Sequence, residues 1–282
     1  MEANRPSLTA QGAALHRAAH QLIDEPPVFA DPLALRIIGP EAEAEIRAGG
    51  ERHALKTAAR MRAFLAVRSR YTEDCFAEAM ARGLEQYVVL GAGLDTFAYR
   101  APSAGLRIFE VDHPATQQWK RERLKGAAIS IPETLAYAPV DFERETLDEG
   151  LGRAGFDFAK PAFFAWLGVV PYLTRDAIMA TLGFVARDLK PQSEILFDYA
   201  EPLEGREPSG SQAIAELAKR VAEIGEPLRS FFTPYDLERD LRALGFSTIE
   251  NADTAMLNAR YFAGRDDGLA LGGAAHIMRA RV

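Results

Sequence analysis

Short apolar runs alternate with helical patterns from Gly83 onward, and this alternation constrains the fold more than any other feature of the chain. The apolar runs cover residues 86–91, 106–112, 134–140, 162–168, 194–199, 246–250 and 274–281. Helical patterns lie between several of them, at residues 115–126, 175–189 and 234–245. A helical crossover lets consecutive strands pair in parallel and covers one face of the sheet. We therefore predict an α/β fold with a mostly parallel sheet and helices on both faces.

The two ends of the chain depart from this alternation. Residues 251–273, between the last two runs, hold no long helical pattern, so we expect the last strand to pair antiparallel. The first 84 residues are predicted to be helical. They contain a helix with Thr9 as its N-cap, a proline-bounded turn and short helix in residues 27–39, and a long amphipathic helix that ends at Gly83.

Composition excludes several functional classes. The net charge of −7 argues against a basic nucleic-acid-binding surface, so we expect no nucleic-acid partner. The longest nearly apolar run, residues 161–173, is shorter than the roughly 20 residues of a membrane helix. The first residues lack a basic start followed by an apolar core, and the only cysteine is Cys75. We expect a cytoplasmic protein without a disulfide, a membrane segment or a metal centre.

Two glycines follow the first apolar run directly. Gly91 and Gly93 stand where a parallel strand would meet its ligand, and a glycine lets a ligand approach the backbone closely. The dinucleotide-binding pattern GxGxxG is incomplete because Thr96 occupies the place of the third glycine. A plain tight turn is the alternative interpretation of this pair.

Carboxylates follow the next two runs. Asp112 lies 21 residues beyond Gly91, the usual spacing of an acid that binds both ribose hydroxyls, although it could instead be a helix N-cap before Pro114. Asp141 could accept from an adenine amino group while Phe142 forms an apolar wall, or the pair could simply cap a helix. Together these residues favour a nucleoside-containing ligand.

Several longer stretches resemble one family of enzymes. They are residues 88–100, 109–124, 166–178 and 257–269, preceded by residues 7–20 and 26–34. In this order they resemble bacterial S-adenosylmethionine-dependent methyltransferases related to leucine carboxyl methyltransferase. The resemblance implies a seven-stranded, Rossmann-like class I methyltransferase fold with S-adenosyl-L-methionine as cofactor. It also implies a helical cap in residues 1–84 and a cofactor-binding domain in residues 85–282, which we expect to form one compact unit.

The resemblance assigns cofactor contacts to residues at the strand ends and on the long N-terminal helix. These residues are Arg68, Gly91, Ala92, Gly93, Asp95, Asp112, His113, Asp141, Phe142, Trp166 and Leu167. Arg68 is expected to pair with the cofactor carboxylate, with Arg70 as the alternative, and Arg17 to add a second cation. Leu167 departs from the family, whose members usually carry a glutamate in a Trp-Glu-Gly motif. A catalytically silent cofactor-binding protein therefore remains open.

Two tyrosines are the expected catalytic residues. The resemblance implies a tyrosine near the methyl group at Tyr172, in the loop after the fourth strand. Tyr199 ends the fifth strand, where a buried strand end is the alternative interpretation. Eight aromatic residues are expected around a small-molecule pocket, although most of them could equally belong to the core: Phe97, Tyr99, Trp166, Tyr172, Tyr199, Phe231, Phe232 and Tyr261. We expect residues 201–212, Phe231 and Phe232, and the N-terminal cap to close over the substrate.

The predicted reaction is O-methylation of a small-molecule carboxylate or hydroxyl, in keeping with secondary metabolism. A protein carboxyl methyltransferase is an alternative within the family. A nicotinamide-dependent reductase is the weakest alternative, because the third glycine and a Tyr-x-x-x-Lys pair are missing. The methyl acceptor and the oligomeric state stay open.

Overall fold

A seven-stranded mixed sheet forms the centre of the molecule. The computed structural model describes residues 7–49, 55–100, 105–141, 144–202, 218–219, 221–223, 225–273 and 275–282. The strands are β1 (Gln86–Leu90), β2 (Arg107–Asp112), β3 (Leu135–Pro139), β4 (Phe163–Trp166), β5 (Glu194–Tyr199), β6 (Thr248–Ala252) and β7 (His276–Arg281). Their order is β3-β2-β1-β4-β5-β7-β6, which agrees with a Rossmann-like methyltransferase fold.

The pairing directions follow the predicted pattern. Strands β1 to β5 pair in parallel, whereas β7 pairs antiparallel with both β5 and β6. The predicted antiparallel last strand is therefore confirmed. Strand β6 lies two residues later than the predicted range of 246–250. The strand order reverses direction between β1 and β4, and ligands of such sheets bind beyond the carboxyl ends of the strands at this point.

The described part of the N-terminal region contains four helices: α1 (Leu8–Ile23), α2 (Ala34–Ile38), α3 (Pro40–Ala48) and α4 (Lys56–Ala81). Thr9 is not the cap of α1, because the Ser7 hydroxyl accepts from the Ala10 N–H and Thr9 lies inside the helix. Gly83 follows α4 with a φ of +96°, which agrees with the predicted glycine stop.

The sheet domain carries six more described α-helices and one 3₁₀ turn. The helices are α5 (Phe97–Arg100), α6 (Pro114–Gly126), α7 (Leu147–Arg153), α8 (Arg175–Asp188), α9 (Pro234–Leu244) and α10 (Thr254–Tyr261), and the turn is Val170–Tyr172. Helices α6, α8 and α9 agree with the predicted patterns. Helices α7 and α10 were not predicted, since their 7 and 8 residues give little periodicity.

Alternate side chains of each central strand pack on opposite faces of the sheet. Tyr87 and Val89 of β1 pack in a core that contains Ala66 and Phe76 of α4, whereas Val88 and Leu90 pack with the layer formed by α7, α8 and α9. Helix α4 therefore belongs to the helical layer of the sheet. Helices α1 to α3 build a third core, which reaches Leu94 and Leu124. Within the described chain, no helix combines the length and apolar character needed to cross a bilayer.

Candidate active site

One cavity of about 1700 Å³ lies at the carboxyl ends of the central strands. Leu90, Asp112, Trp166 and Tyr199 are the last residues of β1, β2, β4 and β5, and all four line it. Residues of α1 and α4 form further parts of its wall. Small-molecule sites usually measure about 300–1,000 Å³, so this cavity has room for a cofactor and a second molecule.

The structure brings the described candidate residues together in this cavity. Its lining includes Arg68, Gly91, Ala92, Gly93, Asp95, Asp112, His113, Asp141, Trp166, Leu167, Tyr172 and Tyr199. Phe142 lies outside the described residues.

The turn after β1 requires its glycines. Gly91 and Gly93 have φ values of +68° and +44°, a region that favours glycine. A Cβ on Gly91 would lie 2.4 Å from Val169 Cγ2, and one on Gly93 would lie 3.0 Å from Ala10 Cβ. The Gly91 N–H donates to the Val111 carbonyl, so the turn is tied to the neighbouring strand β2.

Asp112 is held by the backbone on both sides. Its Oδ2 accepts from the Gly93 N–H at 2.6 Å and its Oδ1 from the His113 N–H at 2.7 Å. Burial raises the pKa of Asp112, and these two hydrogen bonds oppose that shift. A carboxylate has about four acceptor positions, so two remain for ligand hydroxyls. The two hydroxyls of a ribose, which donate hydrogen bonds, therefore fit the two remaining acceptor positions of Asp112.

Asp112 is not the N-cap of α6. His113 occupies that position, and its Nδ1 accepts from the Ala115 N–H at 3.2 Å, with Pro114 as the first helical residue. His113 therefore carries a structural role at the edge of the cavity.

Arg68 reaches the cavity from α4 and pairs with the end of β5. Its Nη1 donates to Asp198 Oδ2 at 3.1 Å, while Asp198 Oδ1 accepts from the Gly168 N–H at 2.5 Å. Gly168 has a φ of +70°, and a Cβ there would lie 2.8 Å from Arg68 Nη1. Arg70 pairs with Asp74 and lies outside the cavity lining, so the alternative arginine does not reach the site.

Arg17 also lies in the cavity wall, on α1. Its Nη2 donates to the Leu94 carbonyl at 2.5 Å, and its Nε lies 2.9 Å from Asp31 Oδ2. This arginine therefore connects the N-terminal helices to the turn that follows β1.

Leu167, directly after β4, and Asp198, on the neighbouring strand β5, occupy equivalent places along the two segments. Trp166 pairs with Phe197 in the register of β4 and β5, and each of the two residues follows one member of this pair. Leu167 packs against the core that contains α4. An acidic group is therefore present beside the position of the missing family glutamate, one strand away.

Both candidate tyrosines retain their protons at neutral pH. Burial raises the pKa of Tyr172 to about 12, with contributions from the Asp198 and Glu226 charges, and Arg68 opposes the shift. Burial also raises the pKa of Tyr199, whose hydroxyl donates to Asn251 Oδ1 at 3.1 Å. Its ring stacks on His276 with centroids 5.2 Å apart. These phenols can donate hydrogen bonds but cannot serve as bases.

Two further acids of the predicted site, Asp95 and Asp141, are engaged locally. Asp95 Oδ1 accepts from the Phe97 N–H at 2.8 Å, which fixes the start of α5. Asp141 Oδ2 lies 3.4 Å from Arg144 Nε. Both residues line the cavity through a loop that follows a strand.

Only part of the predicted aromatic wall faces the cavity. Of the eight aromatic residues, the described lining includes Trp166, Tyr172 and Tyr199. The prediction was wrong for Phe97, which stacks on Tyr87 in the core, and for Phe232, which is 2% exposed. Residues 203–212 of the predicted lid lie outside the described residues.

A contact between α1 and the segment before α9 was not predicted. Glu226 accepts from the Leu8 and Thr9 N–H groups at 3.1 and 3.0 Å and from the Ser7 hydroxyl at 3.3 Å. Acids at a helix N-terminus are stabilised by its unpaired N–H groups and its dipole. Ser7, Leu8, Thr9 and Glu226 all line the cavity, so this contact holds part of its wall. The partners are 217 residues apart, and no local pattern announces such a pair.

Comparison with known proteins places the chain in a family. A sequence model of leucine carboxyl methyltransferase matches residues 10–186. A Bacillus subtilis (strain 168) protein named as a candidate S-adenosyl-L-methionine-dependent methyltransferase is 32% identical over 302 aligned positions, which cover 99% of each chain. A similarly named Mycobacterium bovis (strain BCG) protein is 36% identical over 190 positions, 64% of this chain and 60% of the relative.

Solved structures agree on the fold. A candidate methyltransferase from Thermobifida fusca superposes with a TM-score of 0.57 at 19% identity, covering 98% of this chain and 95% of that one. A Streptomyces avermitilis protein of the DUF574 family has a TM-score of 0.52 at 17% identity, covering 94% and 96%. From the sequence matches together with this fold, the chain belongs to the leucine carboxyl methyltransferase family and is an S-adenosylmethionine-dependent methyltransferase.

Proposed function

We propose that the protein methylates an oxygen of a small molecule, a carboxylate or a hydroxyl. The observation that supports this most strongly is one cavity that contains the Gly91–Gly93 turn, the backbone-held carboxylate of Asp112 and two protonated tyrosines. Its volume exceeds what one cofactor needs.

The proposed cofactor site begins at the ends of β1, β2 and β3. The backbone of Gly91 and Gly93 contacts the methionine part, and Asp112 accepts from both ribose hydroxyls. Asp141 and Phe142 contact the adenine. Each assignment matches a group's chemistry to its place at a strand end.

Arg68 and Asp198 are proposed to bind the amino-acid end of the cofactor. A guanidinium has five N–H donors, so Arg68 keeps donors for a carboxylate while its Nη1 binds Asp198. Asp198 is proposed to accept from the cofactor ammonium in place of the glutamate that Leu167 replaces. Because Asp198 on the neighbouring strand supplies the acidic group that Leu167 lacks, we favour an active enzyme over a silent cofactor-binding protein.

The chain's part in the reaction is to hold the acceptor in line. Bound S-adenosylmethionine supplies a methyl group whose bond to sulfur breaks toward sulfur as the acceptor oxygen attacks the methyl carbon. Placing the two reactants in line supplies several kcal/mol of the barrier reduction. Tyr172 is proposed to orient the acceptor by donating a hydrogen bond to it. Tyr199 is proposed to orient it through its ring, because its hydroxyl proton is donated to Asn251 Oδ1.

The two classes of acceptor differ in whether the oxygen must lose a proton when it is methylated. A carboxylate acceptor is already ionised and transfers no proton, which matches a site with protonated tyrosines. A hydroxyl acceptor must lose its proton, and His16 in the cavity wall is the side chain that we expect to receive it. A protein C-terminus is the alternative carboxylate acceptor within the family.

The cofactor site is tested by calorimetric titration of S-adenosylhomocysteine. Asp112→Ala removes charge-assisted hydrogen bonds worth about 1.5–3 kcal/mol, so affinity is expected to fall roughly 10- to 150-fold. Asp266→Ala changes an exposed aspartate outside the lining and is expected to leave affinity unchanged. Equal binding by native protein and Asp112→Ala would contradict the ribose assignment, and no binding by native protein would contradict the whole proposal.

The acceptor class is tested by transfer of labelled methyl to a panel of acids and phenols. Mild base releases labelled methanol from a methyl ester but leaves a methyl ether intact. If the enzyme methylates carboxylates, we expect a base-labile product from the acids. If it methylates hydroxyls, we expect a base-stable product from the phenols. Label recovered only on nitrogen, sulfur or carbon would overturn O-methylation.

A further inference from the structure

One face of α4 lines the cavity with residues at helical spacing. The face includes Thr57, Arg60, Phe64 and Arg68. Arg60 precedes Arg68 by eight residues, which corresponds to about 12 Å along a helix. The same wall therefore presents two guanidinium groups of α4. That of Arg68 is assigned to the cofactor, and that of Arg60 lies about two turns nearer the start of the helix.

The Arg60 side chain lies directly on Gly272. A Cβ at Gly272 would lie 2.3 Å from Arg60 Nε and 2.7 Å from its Cζ. Gly272 lacks the positive φ found at its neighbour Gly273, so its backbone conformation does not demand glycine. The absence of a side chain at Gly272 instead leaves the space that the Arg60 guanidinium occupies.

Arg60 is a cation of the wall that has no partner among the described residues. Arg17, Arg68 and Arg144 pair with Asp31, Asp198 and Asp141, respectively. Within the described residues, Arg60 forms neither an ion pair nor a hydrogen bond; Arg229 likewise pairs with no carboxylate, but it is exposed. Arg60 is partly buried. A partly desolvated guanidinium without a carboxylate is stabilised when an anion binds it.

The anion at Arg60 cannot usefully be the oxygen that is methylated. An oxygen that accepts a methyl cation loses its negative charge, so a guanidinium bound to it would stabilise the reactant more than the transition state. A second anionic group, which keeps its charge throughout the reaction, does not carry this penalty. Arg60 is therefore suited to a group of the acceptor that anchors it without reacting.

We propose that Arg60 binds a carboxylate of the methyl acceptor that is not itself methylated, so the acceptor is a hydroxy acid or a dicarboxylic acid. This inference rests on the proposed O-methyltransferase function and adds the substrate class. Gly272 acts as a positioning residue, because its bare backbone sets where the guanidinium lies.

The test measures binding to the complex with S-adenosylhomocysteine, which needs no turnover. The calorimetric probes are two matched pairs, 4-hydroxybenzoate with 4-hydroxybenzyl alcohol and hexanedioate with 1,6-hexanediol. We expect the anionic member of at least one pair to bind native protein 10-fold or more tightly than the neutral member. Arg60→Gln is expected to remove this preference, and Arg60→Lys to retain part of it because the charge remains.

Two further variants separate the role of Arg60 from general effects. Gly272→Ala is expected to displace the guanidinium and weaken the preference at least 3-fold without any change of charge. Arg70→Gln makes the same substitution on the same helix outside the cavity, and the preference should persist.

The outcomes distinguish this inference from the proposed function. If native protein binds S-adenosylhomocysteine but shows no preference for either anionic probe, the inference is overturned and the proposed function stands. It is also overturned if Arg60→Gln weakens S-adenosylhomocysteine binding 10-fold or more, because Arg60 would then be a cofactor contact. Failure of native protein to bind S-adenosylhomocysteine would overturn both.

Discussion

Two residues before Asp112 on β2, Glu110 lies fully buried against Lys120. Its Oε1 lies 2.8 Å from Lys120 Nζ, and its Oε2 accepts from the Tyr99 hydroxyl at 3.1 Å. Burial raises the pKa of Glu110 to about 7, although Lys120 opposes the shift. Alternation along a strand places Glu110 on the same side as Asp112, so the charge state of this pair bears on the proposed ribose site.

The raised pKa predicts a pH-dependent contribution to stability. Between about pH 4.5 and pH 7 the folded protein holds a proton on Glu110 that the unfolded chain has released. The stabilisation from this proton is therefore complete below pH 4.5 and is lost as the pH rises through 7. We therefore expect the free energy of unfolding of native protein, minus that of Glu110→Gln, to decrease from pH 4.5 to pH 7. Urea unfolding at each pH measures both values.

Two further variants check the assignment. Glu133→Gln alters an exposed glutamate, so its difference from native protein should not change over the same pH range. Lys120→Met removes the cation that lowers the pKa of Glu110, so the decline should extend to higher pH. A constant difference between native protein and Glu110→Gln from pH 4.5 to 7.5 would refute the shifted pKa.

At the scale of elements, α1 is held by a residue from the far end of the chain. Glu226 binds the first N–H groups of the helix, and Arg17 on the same helix binds Leu94 in the loop after β1. Residues of this helix line the cavity. Ser7 caps the helix locally, and Glu226 binds its first N–H groups from a distant part of the chain.

Removal of that side chain should loosen α1. Glu226→Ala loses a cap and a helix-dipole contact, together about 1–2 kcal/mol, so amide hydrogen exchange in residues 10–20 should accelerate. The dissociation rate of S-adenosylhomocysteine should rise several-fold in stopped-flow experiments. Glu223→Ala, an exposed neighbour, serves as the control. Unchanged exchange in α1 would show that Glu226 does not hold the helix.

The elements that the sequence predicted are those with local signals. The strands, the long helix α4 and the Gly91–Gly93 turn depend on residues within a few positions of each other. The short helix α7, the pairing of Glu226 with α1 and the packing of Arg60 on Gly272 had no such signal, because contacts between distant residues leave no period. Phe97 and Phe232 were misplaced for a related reason, since packing alone decides whether an aromatic side chain at an element end faces the core or the cavity.

At the scale of the molecule, the N-terminal helices share cores with the sheet. Ala66 and Phe76 of α4 pack with Tyr87 of β1, and residues of α1 share a core with Leu94 and Leu124. Units that share buried apolar surface unfold together. We therefore propose that residues 1–84 and 85–282 form one cooperative unit.

Calorimetry tests this unity. Unfolding should give one transition, and S-adenosylhomocysteine at 100 times its dissociation constant should stabilise all of it by about 2.7 kcal/mol. At about 2.1 cal/mol/K per residue this raises the melting temperature by roughly 5 °C. Two transitions, of which only one responds to the ligand, would instead show that the N-terminal helices unfold separately.

The position of β7 between β5 and β6 also has a consequence for the order in which the chain is synthesised. Both neighbours emerge from the ribosome before β7, and neither can pair with the other because β7 separates them. Glu194 of β5 is fully buried and binds three arginines: Arg82, which precedes it in the chain, and Arg279 and Arg281 of β7, at 2.8 and 2.9 Å. Domains fold as units during translation, so this edge of the sheet stays open, and Glu194 lacks two of its three arginine partners, until β7 has left the exit tunnel. Ribosome-bound chains halted before residue 276 should therefore be the species that chaperones recognise.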